Sequence, residues 1–247
     1  MTRFFAALSF LTRLPAPGAA SFGPREVGRG ALCFPLVGAI VGGITAASGW
    51  LLEGALPTWL VATLAVAVTI RCTGAFHQDA LADFVDGFGG GLTREAVLRI
   101  MHDSSIGAYG TVALVLALLV RVGCTAALID AGAWGLLVAA GALSRWPSVL
   151  MGAAFPYAHA EGKALGRALT DHIGLCECVG ASASAVGIGA WLGPGIAGGG
   201  VLVCLAVGAW FSWTAMRRVG GVTGDTMGAA TEACELATLV VAVGSVH

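Results

Sequence analysis

Seven long apolar stretches decide most of what this chain can become, at roughly 31–52, 58–75, 107–129, 133–153, 175–193, 197–216 and 232–246. A helix needs about 20 apolar residues to cross the hydrocarbon of a bilayer, and most of these runs are close to that length. Inside lipid, only helices and closed barrels satisfy every backbone N–H and C=O. These runs are too continuous to be the alternating strands of a barrel. Of 247 residues, 57% are hydrophobic and 11% are charged, too little charge to cover a soluble domain. The expected fold is all-α: a polytopic transmembrane helix bundle of about seven spans, one integral membrane domain over 1–247, with the lipid bilayer as a partner.

The ends of the chain read differently. Residues 1–30 form an interfacial segment: the apolar core FFAALSFL is cut short by Arg13, which suits a helix on the membrane surface better than a signal peptide. The last stretch is short and opens with Glu232 and Glu235, so it is expected to begin in a polar cavity rather than in lipid. The seven cysteines form no CxxC pair and sit mostly in apolar runs, where a thiol behaves as a small hydrophobe.

Charge placement gives an orientation. The loops near 53–57, 130–132 and 194–196 contain Glu53 and Asp130 and no Lys or Arg. The other side collects Arg3, Arg13, Arg25, Arg29, Arg94, Arg99, Lys163, Arg167, Arg217 and Arg218. The positive-inside rule then puts the N-terminus in the cytoplasm and the C-terminus outside. A net charge of −1 offers nothing to nucleic acid. Three arginines fall within spans. Arg121, near the outer end of its span, is expected to snorkel or to pair with Asp130. Arg145 calls for an anionic partner, a substrate phosphate or a carboxylate, unless it too snorkels.

Acids are scarce and clustered. In HQDALADFVDGFGGG, Asp79, Asp83 and Asp86 are spaced i, i+4, i+7, which aligns them on one face of a helix. Asp225, Glu232 and Glu235 follow i, i+7, i+10, and Asp103 opens the third span. Of 14 acids, these seven lie in segments that all fall on the predicted cytoplasmic face. Stacked carboxylates repel one another and lose water near a membrane, and a hard divalent cation (magnesium, manganese or calcium) relieves both costs. The ordinary alternative is a solvated helix face. The metal candidates are thus Asp79, Asp83, Asp86, Asp225, Glu232 and Glu235. His77, Asp103 and Arg145 are candidates for proton transfer or substrate contact. The catalytic segments are 76–106 and 217–235. Gly87, Gly89, Gly90 and Gly91 after the first motif, and Gly220, Gly221 and Gly224 before the second, suit either a phosphate cradle or helix punctuation. Thr93 reads as an ordinary helix N-cap.

Taken in order, FFAALSFLTRLPAP, FHQDALADFVDGFGGG, LRIMHDSSIGAYG, LSRWPSVL…FPYA and GGVTGDTMGAATEACELATL span essentially the whole chain. In this combination the sequence resembles the cobalamin synthase family, the adenosylcobinamide-GDP ribazoletransferases. It departs from the family's usual D-G-L-A-D at Ala80, where a glycine is common. The resemblance implies a multi-pass enzyme of the inner (cytoplasmic) membrane with its site on the cytoplasmic face and Mg2+ as cofactor. It implies that adenosylcobinamide-GDP is joined to α-ribazole, or to α-ribazole 5′-phosphate, with release of GMP. A homo-oligomer is compatible with such a chain. Aromatic prenyltransferases and CDP-alcohol phosphotransferases also use aspartate-rich helices with magnesium, but HQDALADFVDG matches neither of their patterns. A divalent-cation transporter would need acids at mid-span and access from outside, where the loops are nearly bare.

Overall fold

The computed structural model describes residues 1–158 and 165–246. Lys163 and the side chain of Arg167, both assigned above to the cytoplasmic side, lie outside the described part. A short α1 (Thr2–Leu11) packs on α2 (Pro24–Gly30), which continues through one tight turn into α3 (Phe34–Leu52). Then come α4 (Thr58–Thr73), α5 (Phe76–Gly90), α6 (Arg94–Met101), α7 (Ala108–Asp130), α8 (Trp134–Ala154), α9 (Leu165–Thr170), α10 (Leu175–Leu192), α11 (Pro194–Val219) and α12 (Gly224–Gly244). Among the described residues, six helical segments are long and apolar enough to cross a membrane: 24–52, 108–130, 134–154, 175–192, 198–219 and 224–244. α4 and α5 count as a seventh if the bent pair is one span. The protein is an all-helical, multi-pass membrane bundle.

The centre of the bundle is α8, which buries 72% of its apolar window, against 22% for α10 and 28% for α7. It packs on α3, α12, α10 and α11. The crossing with α3 is close because Gly38 faces Gly141: a Cβ on either would collide with the other's carbonyl oxygen. Small residues at such a crossing let backbones approach where no hydrophobic drive between helices exists. Gly141→Leu is expected to force α3 and α8 apart and to leave little folded protein, read as the monodisperse fraction in detergent. Outward, Leu119, Trp59, Trp191 and Leu202 are exposed, as lipid-facing side chains should be.

Two boundaries differ from the hydropathy reading. The apolar stretch 58–75 does not run into a polar loop: Gly74 and Ala75 both take left-handed backbone (φ 68° and 60°). The chain then leaves at 86° as α5. The last helix starts at Gly224, capped by Thr223, whose hydroxyl accepts from Thr226 N–H at 3.0 Å. Glu232 and Glu235 therefore sit inside α12 rather than at its mouth. Thr93 caps α6 as expected, accepting from Ala96 N–H at 3.2 Å.

Candidate active site

α5 carries the first acidic motif and is held at both ends. Near its start, Gln78 donates from Nε2 to Glu232 Oε2 at 2.7 Å, tying it to α12. Toward its end, Asp86 accepts from Gly107 N–H at 2.7 Å and from Gly110 N–H at 2.9 Å, through one oxygen each. Those amides are orphan donors at the N-terminus of α7, where the helix dipole also favours an anion. Gly107 and Gly110 are needed there, because a Cβ on either would occupy the space of the Asp86 carboxylate. Between these anchors Ala80 packs directly on Gly228 of α12; a Cβ on Gly228 would strike the Ala80 methyl. The small residue opposite explains how this chain accommodates alanine at position 80.

The face so positioned is graded: Asp79 is exposed, Asp83 half-buried and Asp86 buried. Asp79 and Asp83 open onto a cleft of about 450 Å3 that Asp103, His102, Ser104, Tyr157 and Asp225 also line. Asp83 feels the charges of Asp79, Asp225 and Asp86. Asp103 accepts from Ser105 N–H at 2.9 Å, a bond that holds its carboxyl below the usual carboxylate range. Tyr157 accepts from Gly224 N–H at 3.2 Å, and burial pushes its phenol above the usual value, so it stays protonated at neutral pH. It reaches the cleft because the chain after α8 is pinned beside the α11–α12 turn: Ala158 N–H donates to Val222 O at 2.8 Å, and Val222 N–H to Pro156 O at 2.9 Å. Nothing in the acidic pattern singled out Tyr157; its signal was the FPYA motif that carries part of the family resemblance.

The remaining acids have other partners. Glu232 and Glu235 lie about 10 and 15 Å further along α12 than Asp225, at about 1.5 Å of rise per residue. Arg145 Nη1 is bonded to Glu235 Oε2, and to Ser144 Oγ at 2.8 Å and Gly141 O at 3.2 Å. Arg121 Nη2 meets Glu235 Oε1 at 2.5 Å and Glu232 Oε2 at 3.5 Å. All four side chains are buried. Two guanidinium groups against two carboxylates make the set neutral, which is what a low-dielectric interior demands. The expectation for Arg121 is thereby corrected: it neither snorkels nor pairs with Asp130, which instead accepts from Thr58 Oγ1 at 2.7 Å. A partner far away in sequence outcompetes the near one because it is buried with the arginine. Arg145 finds a carboxylate, one of the two partners proposed for it.

Of the glycines flanking the two motifs, Gly224 lines the cleft and others punctuate or pack the helices. Gly87 packs under Met101, and Gly220 ends α11 in left-handed backbone. His77 is buried and lines a different, apolar cavity beside the cleft.

Among the described residues, no three His, Cys, Asp or Glu side chains close into a ready metal cage. The donor set of the cleft nevertheless suits magnesium. That ion is usually bound by one or two carboxylates, with water and substrate phosphates completing its shell. Asp79 and Asp83, one turn apart on an open wall, offer that arrangement, with Asp225 facing them from α12. Asp86→Ala separates the two roles: it orphans one buried and one half-buried amide at a helix start and is expected to cost about 1–3 kcal/mol of stability. A lowered unfolding temperature with residual turnover is the expected result.

The family described as cobalamin-5-phosphate synthase matches residues 3–243. A protein named adenosylcobinamide-GDP ribazoletransferase from Ralstonia pickettii (strain 12J) is 38% identical over 242 residues, covering 95% of this chain and 92% of the relative. One of the same name from Pseudomonas paraeruginosa (strain DSM 24068 / PA7) is 41% identical over 239 residues, covering 95% and 94%. No solved structure matches. With its acidic cleft and its helices matched nearly end to end, the chain belongs to the cobalamin-5-phosphate synthase family.

Proposed function

We propose that this protein is a magnesium-dependent transferase that joins adenosylcobinamide-GDP to α-ribazole, or to its 5′-phosphate, and releases GMP. The observation that carries this reading is the convergence of Asp79, Asp83, Asp103 and Asp225, from three segments, on one open cleft. In the reaction a ribazole hydroxyl attacks the cobinamide-linked phosphorus. A new P–O bond forms there, the diphosphate bridge breaks, and GMP leaves with the bridging oxygen. Asp79, Asp83 and Asp225 would hold magnesium, which when bound supplies Lewis-acid neutralisation of charge on the diphosphate. A cleft carboxylate takes the hydroxyl proton. Tyr157, kept protonated, donates a hydrogen bond to a phosphate oxygen at the cleft wall.

The buried Glu232 and Glu235 are left out of the metal shell in this reading. Their arginine partners neutralise them, and the same pairing disfavours a cation path through the bundle and hence a transporter. The cleft lies at the end of the bundle that carries Arg3, Arg94, Arg99, Arg217 and Arg218, which supports a cytoplasmic orientation. With that orientation, Leu56→Cys is expected to react with a membrane-impermeant thiol reagent in intact cells, and Glu95→Cys only after lysis.

The reaction is tested by GMP release from purified protein given both substrates, with magnesium or with a chelator. Release with formation of a cobalamin product only when magnesium is present is expected. Well-folded protein that makes no product would overturn the proposal.

A further inference from the structure

Beside the acidic cleft lies a second cavity of opposite character, about 220 Å3 in volume. Its walls include the rings of Phe10, Phe34 and Phe76 and the side chain of Met227. The three rings come from α1, α3 and α5 and form one aromatic corner. Phe10 stacks on Phe34 (5.8 Å, 14°) and meets Phe76 edge-on (5.4 Å, 75°). Three polar side chains, His77, Ser148 and Thr231, interrupt the apolar lining. Gly166 and Gly224 line both this cavity and the cleft, so the two spaces adjoin.

Size and chemistry narrow the occupant. An apolar cavity of about 150 Å3 admits benzene, so this one has room for a fused two-ring system. Aromatic walls favour an aromatic guest by offset stacking and edge contacts. Ser148 and Thr231 donate their hydroxyl hydrogens to Arg145 O (2.8 Å) and Met227 O (2.9 Å), so the His77 imidazole is the lining group that orients a ring nitrogen. A guest seated here would extend its polar end past Gly224 to Asp225, the next residue, which lines the cleft.

We propose that this cavity binds the fused aromatic base of the acceptor nucleoside, the benzimidazole of α-ribazole, and so delivers its ribose hydroxyl to the acidic cleft. The inference rests on the transferase reading above and extends it to the acceptor's binding site. It also draws α1 into the binding of substrate, since Phe10 closes one wall.

The test fills the cavity. Equilibrium dialysis of α-ribazole against the protein in nanodiscs is compared for wild type and Met227→Trp, beside KM for both substrates. Met227→Trp is expected to weaken α-ribazole binding and raise its KM by about tenfold or more, with KM for adenosylcobinamide-GDP unchanged. Unchanged α-ribazole affinity in the folded variant would overturn the proposal, and so would a shift in the donor's KM alone. An acyl chain as the natural occupant would give the first of these. If Met227→Trp fails to fold, Phe76→Ala, which opens the wall from its exposed side, is read the same way. Binding needs no turnover, which separates the two readings. α-Ribazole held by the wild type and lost in the variant, without GMP release, would sink the reaction and keep the pocket. GMP release with binding indifferent to both variants would sink the pocket and keep the reaction.

Discussion

In Asp83→Asn, magnesium-dependent GMP release is expected to fall by about 10²–10³-fold, the scale seen when one preorganised electrostatic contact to a reacting group is removed. The substitution keeps the size of the side chain and removes only its charge. Asp83 is half-buried, lies one turn from Asp79, and faces Asp225 across the cleft, so it stands at the middle of the carboxylate set. Asp86 and Gln78, not Asp83, make the bonds that tie α5 to α7 and α12, so the loss should come without unfolding. The paired measurement is turnover against magnesium concentration beside a thermal melt. A melt like that of the wild type with a collapsed rate is the expected pair. Full activity at ordinary magnesium would remove Asp83 from the metal shell.

The second large effect concerns stability. Glu235→Leu leaves Arg121 and Arg145 buried against the single carboxylate of Glu232, and breaking a buried pair in this way costs about 3–5 kcal/mol. The yield of folded protein in detergent is expected to drop sharply. Removing a charge of each sign should do less harm. Arg145→Met with Glu235→Leu leaves Arg121 beside Glu232, a neutral pair, and is expected to recover part of the lost thermal stability. If the double variant is no better than Glu235→Leu alone, charge balance is not what holds α7, α8 and α12 together at this level.

Much of this architecture was legible in the sequence, because hydropathy over some twenty residues is a strong and local signal. The spans, the helical class and the cap at Thr93 were read from it. The break after Thr73 was not: Gly74 is one glycine among 38, and apolar residues continue on both sides of it. The acids show a different limit. Spacings of i+4, i+7 and i+10 report the angle of a side chain around a helix, and the angles of Asp225, Glu232 and Glu235 are similar. They say nothing of depth, and about 10–15 Å of depth separates an open cleft from a buried ion cluster. Likewise Asp79 and Asp86 share a face, yet one meets the open cleft and the other caps a neighbouring helix. The pairing of Arg121 with Glu235 depends on which helices become neighbours, and that is tertiary information.

The neutral cluster also bears on how the protein is made. Arg121 and Arg145 belong to α7 and α8, consecutive helices joined by a short turn, while both glutamates reside on α12, which leaves the ribosome well after them. Until α12 is synthesised, the α7–α8 hairpin carries two positive charges at membrane depth without their counterions. Each costs about 2.5–3.5 kcal/mol to place at the centre of a bilayer. α12 is thus the keystone of assembly, and a nascent chain that stops short of it presents quality-control proteases with a hairpin that the bilayer itself disfavours.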